Sequence, residues 1–522
     1  MGTGRDPLAA LRAPSTIRAR CAAVTRAVDQ GRSGWFKIDR SALPVVAREV
    51  AALTRERFPD LKIPYHSRWR HFEAGGVDRK AELDNLLAGR SAAEVARARI
   101  DLTVVSVLLD AGAGPRWRYR EGGSVDALAL PVHRQKGDDL LAMLGAAGGG
   151  AARPTAAQAD STAAAPTAPQ DAGSTPPGDG AAASNASART TTTRTEPPAA
   201  GTDHLAYTRS EGLGVASFRA FVAGMFSDDP NDALRVDARA LQRLDAAALA
   251  SAFQVSTANP LVGVDGRAAL LVRLGEVLQA QAQGQGGPAR PGRLFDDLTE
   301  GGSRRQVAAA DILRALVSRY APIWVSGSRV LGLPAGDVWR HPWAGADTGS
   351  SAENAGSGRA AADAPGPAAG TAGQRQAASG SDPATGGWVP FHKLSQWLTY
   401  SLLEPFQWAG IDVTGLDALT GLPEYRNGGL LLDHGVIVPR ARADLARTWK
   451  PSDEFVVEWR ALTVSLLDEL ADLVRAELGV DARALPLACV LEGGTWAAGR
   501  RIAQQLRDGA PPFRIDSDGT VF

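Results

Sequence analysis

Hydrophobic positions along this chain recur mostly at steps of three and four. After Asp39, placed to cap a helix, come Leu43, Val46, Val50 and Leu53. In GRAALLVRLGEVLQAQ, Leu270, Leu271, Leu274, Val277 and Leu278 form one apolar stripe, which predicts an amphipathic helix. In VEWRALTVSLLDELADLVRAELG, Trp459, Leu462, Leu466, Leu470, Leu473 and Val474 share a face, and Gly479 stands where a glycine would end the helix. SEGLGVASFRAFVAGMF, from Ser210 to Phe226, mixes small residues with apolar ones and suits close helix packing. DLTVVSVLLDAGAG, from Asp101 to Gly114, is uniformly apolar, and periodicity fits a buried helix or a buried strand equally. Strand-like alternation is scarce and there is no short internal repeat. The pattern predicts a mainly α-helical protein.

Two stretches interrupt it. Residues 146–203 and 345–387 are dominated by Ala, Pro, Thr, Ser and Gly, with almost no large apolar side chains. Such segments bury too little surface to offset their chain entropy, so both are expected to be disordered insertions. What remains reads as one helical body in three parts: an N-terminal part (1–145), a central part (204–344) and a C-terminal part (388–522) carrying most of the candidate chemistry. Loop expansions of this kind are tolerated by a compact core.

Composition removes several classes. The 522 residues are 44% hydrophobic, ordinary for a soluble globular chain. Lysine plus arginine and aspartate plus glutamate each number 57, and this zero net charge argues against a nucleic-acid partner. Cys21 and Cys489 fit neither a disulfide framework nor a zinc site. No apolar run is long enough to span a membrane, and the N-terminus lacks the pattern of a secretory signal; the expectation is a cytoplasmic protein.

Familiar catalytic signatures are missing: no phosphate-binding GxxxxGK[ST], no HExxH, no cysteine-rich metal site, and no GxSxG near the informative stretches. What stands out is Trp388 to His434, where aromatic rings, charges and glycines crowd together. In LTGLPEYRNGGLLLD, Pro423 precedes Glu424 and Asn427-Gly428-Gly429 suggests a tight turn after Arg426, so Glu424 and Arg426 could meet a ligand with opposite charges or form a surface ion pair. In FHKLSQWLTY, Lys393 and Gln396 could face a phosphate or sugar, or belong to an amphipathic core helix. LEGGTWAAGR puts Glu492 between an apolar run and two glycines that leave room for a ligand; the carboxylate is either partly desolvated chemistry or a helix cap, and Trp496 is either core or a stacking platform. In HSRWRHF, Arg68 and Arg70 flank Trp69 and could clamp a phosphate or stack on the ring, while His66 and His71 lack a third metal ligand at a diagnostic spacing.

With these residues in view the chain resembles a known family. IPYHSRWRHFEAGG, DLTVVSVLLDAGAGPRWRY, FQVSTANPLVG, VPFHKLSQWLTYSLLEP, LTGLPEYRNGGLLLD, EWRALTV, LEGGTWAAGR and the closing SDGTVF resemble the uracil-catabolism protein-four family, a domain-of-unknown-function family tied to the reductase-independent route of uracil breakdown. The resemblance covers nearly everything outside the two low-complexity stretches. In that route a pyrimidine nucleotide is opened to a ribosylurea species that must release urea. The order of motifs is also similar to that of queuosine 5′-phosphate N-glycosidases, helical proteins related to DNA glycosylases. That likeness puts Glu424 in place of a catalytic aspartate and Glu492 in place of a base-contacting one; Leu422 replaces a stacking phenylalanine, which favours a smaller leaving group.

The resemblance implies hydrolysis of an N-glycosidic bond in a ribosylurea phosphate or pyrimidine nucleoside phosphate. Glu424 would stabilise the sugar cation, and Tyr425 or Glu492 would hold the leaving nitrogen. Arg426, Lys393, and Arg68 or Arg70 would bind the phosphate, with Gln396, His66 and Trp496 completing the substrate contacts. No metal or organic cofactor is required. Two other readings are a non-catalytic nucleotide sensor that associates with the pathway's other enzymes, and a phosphoribosyl-transfer enzyme.

Overall fold

The periodic stretches are helices in the computed structural model, which describes residues 6–110, 112–122, 206–283, 288–345 and 385–517. The longer helices, in chain order, are α1 (Pro14–Asp29), α2 (Leu43–Arg57), α3 (Ala92–Leu108), α4 (Arg209–Val222), α5 (Val264–Ala282), α6 (Ala309–Tyr320), α7 (Lys393–Trp408), α8 (Tyr425–Asp433), α9 (Glu454–Leu478) and α10 (Trp496–Arg507). The protein is mainly α.

Local chemistry accounts for their limits. Asp39 does cap, but it caps the 3₁₀ turn Arg40–Ala42 that leads into α2, accepting from the Ser41 N–H. The ambiguous apolar run becomes α3: Ser91 accepts from the Glu94 N–H and starts a helix whose residues from Ile100 to Leu108 are all buried. Gly479 takes φ 72° and closes α9, as its position suggested.

Helix α9 is central to the packing of the described residues. Trp459, Leu462, Leu466, Leu470 and Val474 are all buried, and α1, α2 and α8 pack against the helix. Small residues set the closest approaches. A Cβ at Gly428 of α8 would collide with the Trp459 ring, and one at Gly275 of α5 would lie 2.6 Å from the Ala238 carbonyl. Asn427-Gly428-Gly429 is therefore not the tight turn its residues suggest; it lies inside α8, and Gly428 is what lets Trp459 seat there. A buried pair links three parts of the chain. The Asp337 carboxylate accepts from both terminal nitrogens of Arg460 at 2.7 Å each and from the Lys393 N–H at 3.0 Å, so α9 and the start of α7 are tied to one anion.

Strands among the described residues occur only as two-stranded ladders. Two antiparallel ones close the chain around the low-complexity stretches: Arg118–Arg120 pairs with Ala206–Thr208, and Val338–Arg340 pairs with Trp388–Pro390. The stretch 146–203 lies outside the described residues, as does most of 345–387. At the edge of the second stretch, Thr385 is buried and the Gly387 N–H donates to the Ala344 carbonyl. The described residues belong to one compact unit, and none of their helices is long and apolar enough to cross a membrane. Cys21 and Cys489 are free and buried, and burial pushes the Cys489 thiol up to about 12.

Candidate functional site

Glu492 stands on one wall of a cavity of about 430 Å³, together with Arg57, His66, Arg70, Trp496 and Arg500. The turn Leu491–Thr495 that carries it is a π-helical step leading into α10. Wide turns of this kind are frequent at functional sites because they redirect a side chain without ending the helix. The adjoining glycines make the step fit, but not by leaving room for a ligand. A Cβ on Gly494 would lie 2.6 Å from Val50 Cγ1 and 2.7 Å from the Val50 carbonyl, and one on Gly493 would lie 3.1 Å from Thr54. The space is filled by α2.

The Glu492 carboxylate is held by side chains. One oxygen is 2.8 Å from His66 Nδ1 and the other is 3.2 Å from Arg57 Nη2, and neither caps a helix. The Arg57 guanidinium also donates to the Glu492 and Gly493 carbonyls, pinning the π-helical turn to the end of α2. His66 is fixed through its backbone, whose N–H donates to Ala488 O at 3.0 Å. With Nδ1 occupied, its Nε2 has no hydrogen-bond partner among the described residues. Arg70 is anchored on Glu404 at 2.8 Å and Glu73 at 3.1 Å. Burial holds the Glu404 carboxyl above its usual range against the pull of Arg70 and Ser67.

Trp496 joins this wall to a second charged group. Its ring has the Arg426 guanidinium 4.4 Å from the centroid and the Arg500 guanidinium 5.6 Å away. Arg426 also lies 4.5 Å from the Tyr425 ring and 3.8 Å, through Nη1, from Glu424. Glu424 is buried and is the cap of α8: Oε1 accepts from the Asn427 N–H at 2.7 Å and Oε2 from the Arg426 N–H at 3.0 Å. Contact thus runs unbroken from Glu424 through Arg426, Trp496 and His66 to Glu492.

The other expected site residues sort themselves by what they already hold. Arg68 is fully buried, paired with Asp110 at 2.9 Å and donating to Ser106 at 2.6 Å, so it is committed inside the protein and only Arg70 reaches the cavity wall. Trp69, between them, donates to Ser401 O in the core and is not a stacking surface. His71 reaches the wall as well; burial and the neighbouring Arg68 cation keep its imidazole well below the ordinary value and so neutral at pH 7. Gln396 is buried and donates to Thr420 Oγ1 at 2.7 Å, away from the cavity wall. Lys393, at the start of α7, has its pKa lowered by burial, opposed by the negative charges of Glu424 and Asp110. Burial raises the Tyr425 phenol against the nearby Arg426 cation.

Reading the residues alone passed over Arg57, Arg500 and Glu211. Arg500 was accessible to helix geometry, since it follows Trp496 by four positions and so shares its face. Glu211, on α4, pairs with Arg500 at 3.0 Å across a fold no local pattern reveals.

The sequence matches the profile of a family described as protein of unknown function (DUF1688), over residues 10–137 and 186–522. It is 32% identical over 526 residues to Protein urg3 of Schizosaccharomyces pombe, and 32% identical over 547 residues to Uracil catabolism protein 4 of Lachancea kluyveri. Each alignment covers 99% of this chain and 99% of the relative.

Proposed function

The chain belongs to the family of proteins of unknown function DUF1688, and from that premise we propose that it acts in uracil catabolism by hydrolysing the N-glycosidic bond of a ribosylurea phosphate or pyrimidine nucleoside phosphate. The observation that carries the reading is the cavity wall where a Glu492–His66 pair at 2.8 Å stands among three arginines and an indole. Its volume of about 430 Å³ suits a sugar phosphate.

The parts have separable roles. Glu492 accepts from His66 Nδ1–H, which fixes the tautomer and leaves Nε2 to exchange a proton with substrate or water. As the carbon–nitrogen bond breaks, the sugar gains positive charge that the Glu492 carboxylate offsets. Water supplies a hydroxyl to the anomeric carbon and its remaining proton, passed through His66, goes to the departing nitrogen. Arg57, Arg70 and Arg500 bind the phosphate, and Trp496 packs against the sugar or the small planar leaving group. Glu424, occupied by backbone N–H groups, positions Arg426 behind Trp496 and does not touch the sugar.

The test is incubation of the purified protein with ribosylurea 5-phosphate, followed by assay for urea and ribose 5-phosphate. Release of both in equal amounts supports hydrolysis. Tight binding without release points to a sensor, and a requirement for pyrophosphate points to phosphoribosyl transfer.

A further inference from the structure

Outside that cavity, a second cluster has the chemistry of a metal site. We infer that His341, Glu454 and Glu458 bind one divalent transition-metal ion. Glu454 and Glu458 lie one turn apart at the start of α9, so they share a face. His341 follows the strand Val338–Arg340 and brings its imidazole to that face. One ligand atom from each of the three lies within 4.8 Å of the others.

The independent sign is two buried polar atoms left without partners. His341 is 1% exposed and Glu458 0%, and neither His341 Nε2 nor Glu458 Oε2 has a hydrogen bond among the described residues. They face each other at 3.5 Å. That separation is too long for an N–H···O bond. It is close to the edge, about 3.3 Å, of a tetrahedron of ligands placed at roughly 2.0 Å from a zinc-sized ion. Leaving both atoms unpaired in the interior is costly, and a cation between them satisfies both.

The surroundings aim the ligands. Ser33 Oγ donates to Glu458 Oε1, and Trp35 Nε1 donates to Glu454 Oε1 at 3.1 Å, so each carboxylate has one oxygen anchored and one left over. Such outer contacts are what orient metal ligands. His341 Nδ1 is 3.4 Å from the Trp343 backbone N, a long contact, so moving the ring proton to Nδ1 when Nε2 ligates gives up little. Glu454 is exposed, which leaves one side of the ion open to water. One imidazole nitrogen and two carboxylate oxygens suit Zn²⁺ or Mn²⁺ better than the all-oxygen preference of Ca²⁺. The ion would tie the Ser33–Trp35 segment and the ladder strand to α9, a structural role separate from hydrolysis in the cavity.

The experiment uses the full chain after chelator treatment, titrated with ZnCl₂ and separately with MnCl₂ and followed by calorimetry and thermal unfolding. One equivalent should bind per chain and raise Tm, and Co²⁺ should develop visible absorption bands from an ordered ligand field. Glu454→Gln, at an exposed position, should weaken binding by about tenfold or more while the protein stays folded; His341→Gln should abolish it. If His341→Gln does not fold, Glu454→Gln decides alone. Absence of saturable binding by the unaltered protein, or an affinity in Glu454→Gln that falls by less than about tenfold, overturns the site.

Discussion

Glu424 and Glu492 are both nearly buried glutamates at the approach to a helix, yet they are held by different kinds of partner. Both oxygens of Glu424 are taken by backbone N–H groups of the helix it starts. Those of Glu492 are held by a histidine and an arginine whose own side chains stand on the cavity wall. A carboxylate bonded to main chain is part of the scaffold, because moving it unravels a helix end. A carboxylate bonded to an imidazole shares a proton with a group that can pass it on. The contrast teaches that the partners of an acid, more than its burial or its neighbours in sequence, show whether it is tied to a helix end or to side chains on a cavity wall.

The contrast can be attacked from several sides. The largest expected effect is at His66: His66→Ala should lower kcat/KM on ribosylurea 5-phosphate by about 10²- to 10⁴-fold, measured as urea release, with little change in Tm. A carboxylate of purely structural kind provides the opposite extreme. Asp337→Asn removes the anion that both terminal nitrogens of Arg460 hold in the interior and should cost about 3–5 kcal/mol in denaturant unfolding. Burial pushes the Asp337 pKa up, but Arg460 and the N–H donors outweigh it and hold the group below the usual carboxylate range. Its stabilisation is therefore complete above the ordinary carboxylate pKa and is lost as pH falls through the lowered folded value, so the variant should show a flatter acid limb than the unaltered protein. Next comes Glu424→Ala, which should cost about 1–2 kcal/mol through loss of the cap, while urea release per folded molecule falls less than about tenfold. Smallest is Arg500→Ala, expected to raise KM by up to about tenfold with kcat nearly unchanged, because in the proposed mechanism it is one of three arginines that bind the phosphate equally before and during reaction.

Much of the helical body was legible because its apolar residues repeat with helical period. The stripe from Trp459 to Val474 and the glycine that ends it needed no tertiary information. The run from Asp101 to Leu108 did, since a fully buried helix and a buried strand have the same composition; its cap at Ser91 lies ten residues upstream. Glycines were the hardest to interpret. Gly428, Gly493 and Gly494 signal that space is needed, but not what fills it, and here Trp459 and α2 fill it. Helix capping was hard to place for a related reason: Asn427-Gly428-Gly429 suggested a turn where Glu424, an uncommon cap residue, starts α8, and the cap considered for Glu492 is not made. The charged residues lining the cavity come from α2, α4, the segment around Trp69, the π-helical turn and α10, and only folding brings Arg57 and Glu211 to it.

The most direct measurement is a single-turnover comparison of Glu492→Gln and Glu424→Gln on ribosylurea 5-phosphate, with each rate normalised to the folded fraction. The account predicts that urea release collapses by at least about a hundredfold in Glu492→Gln and persists within about tenfold of the unaltered protein in Glu424→Gln. Normal release from Glu492→Gln, with release lost in a fully folded Glu424→Gln, would contradict it.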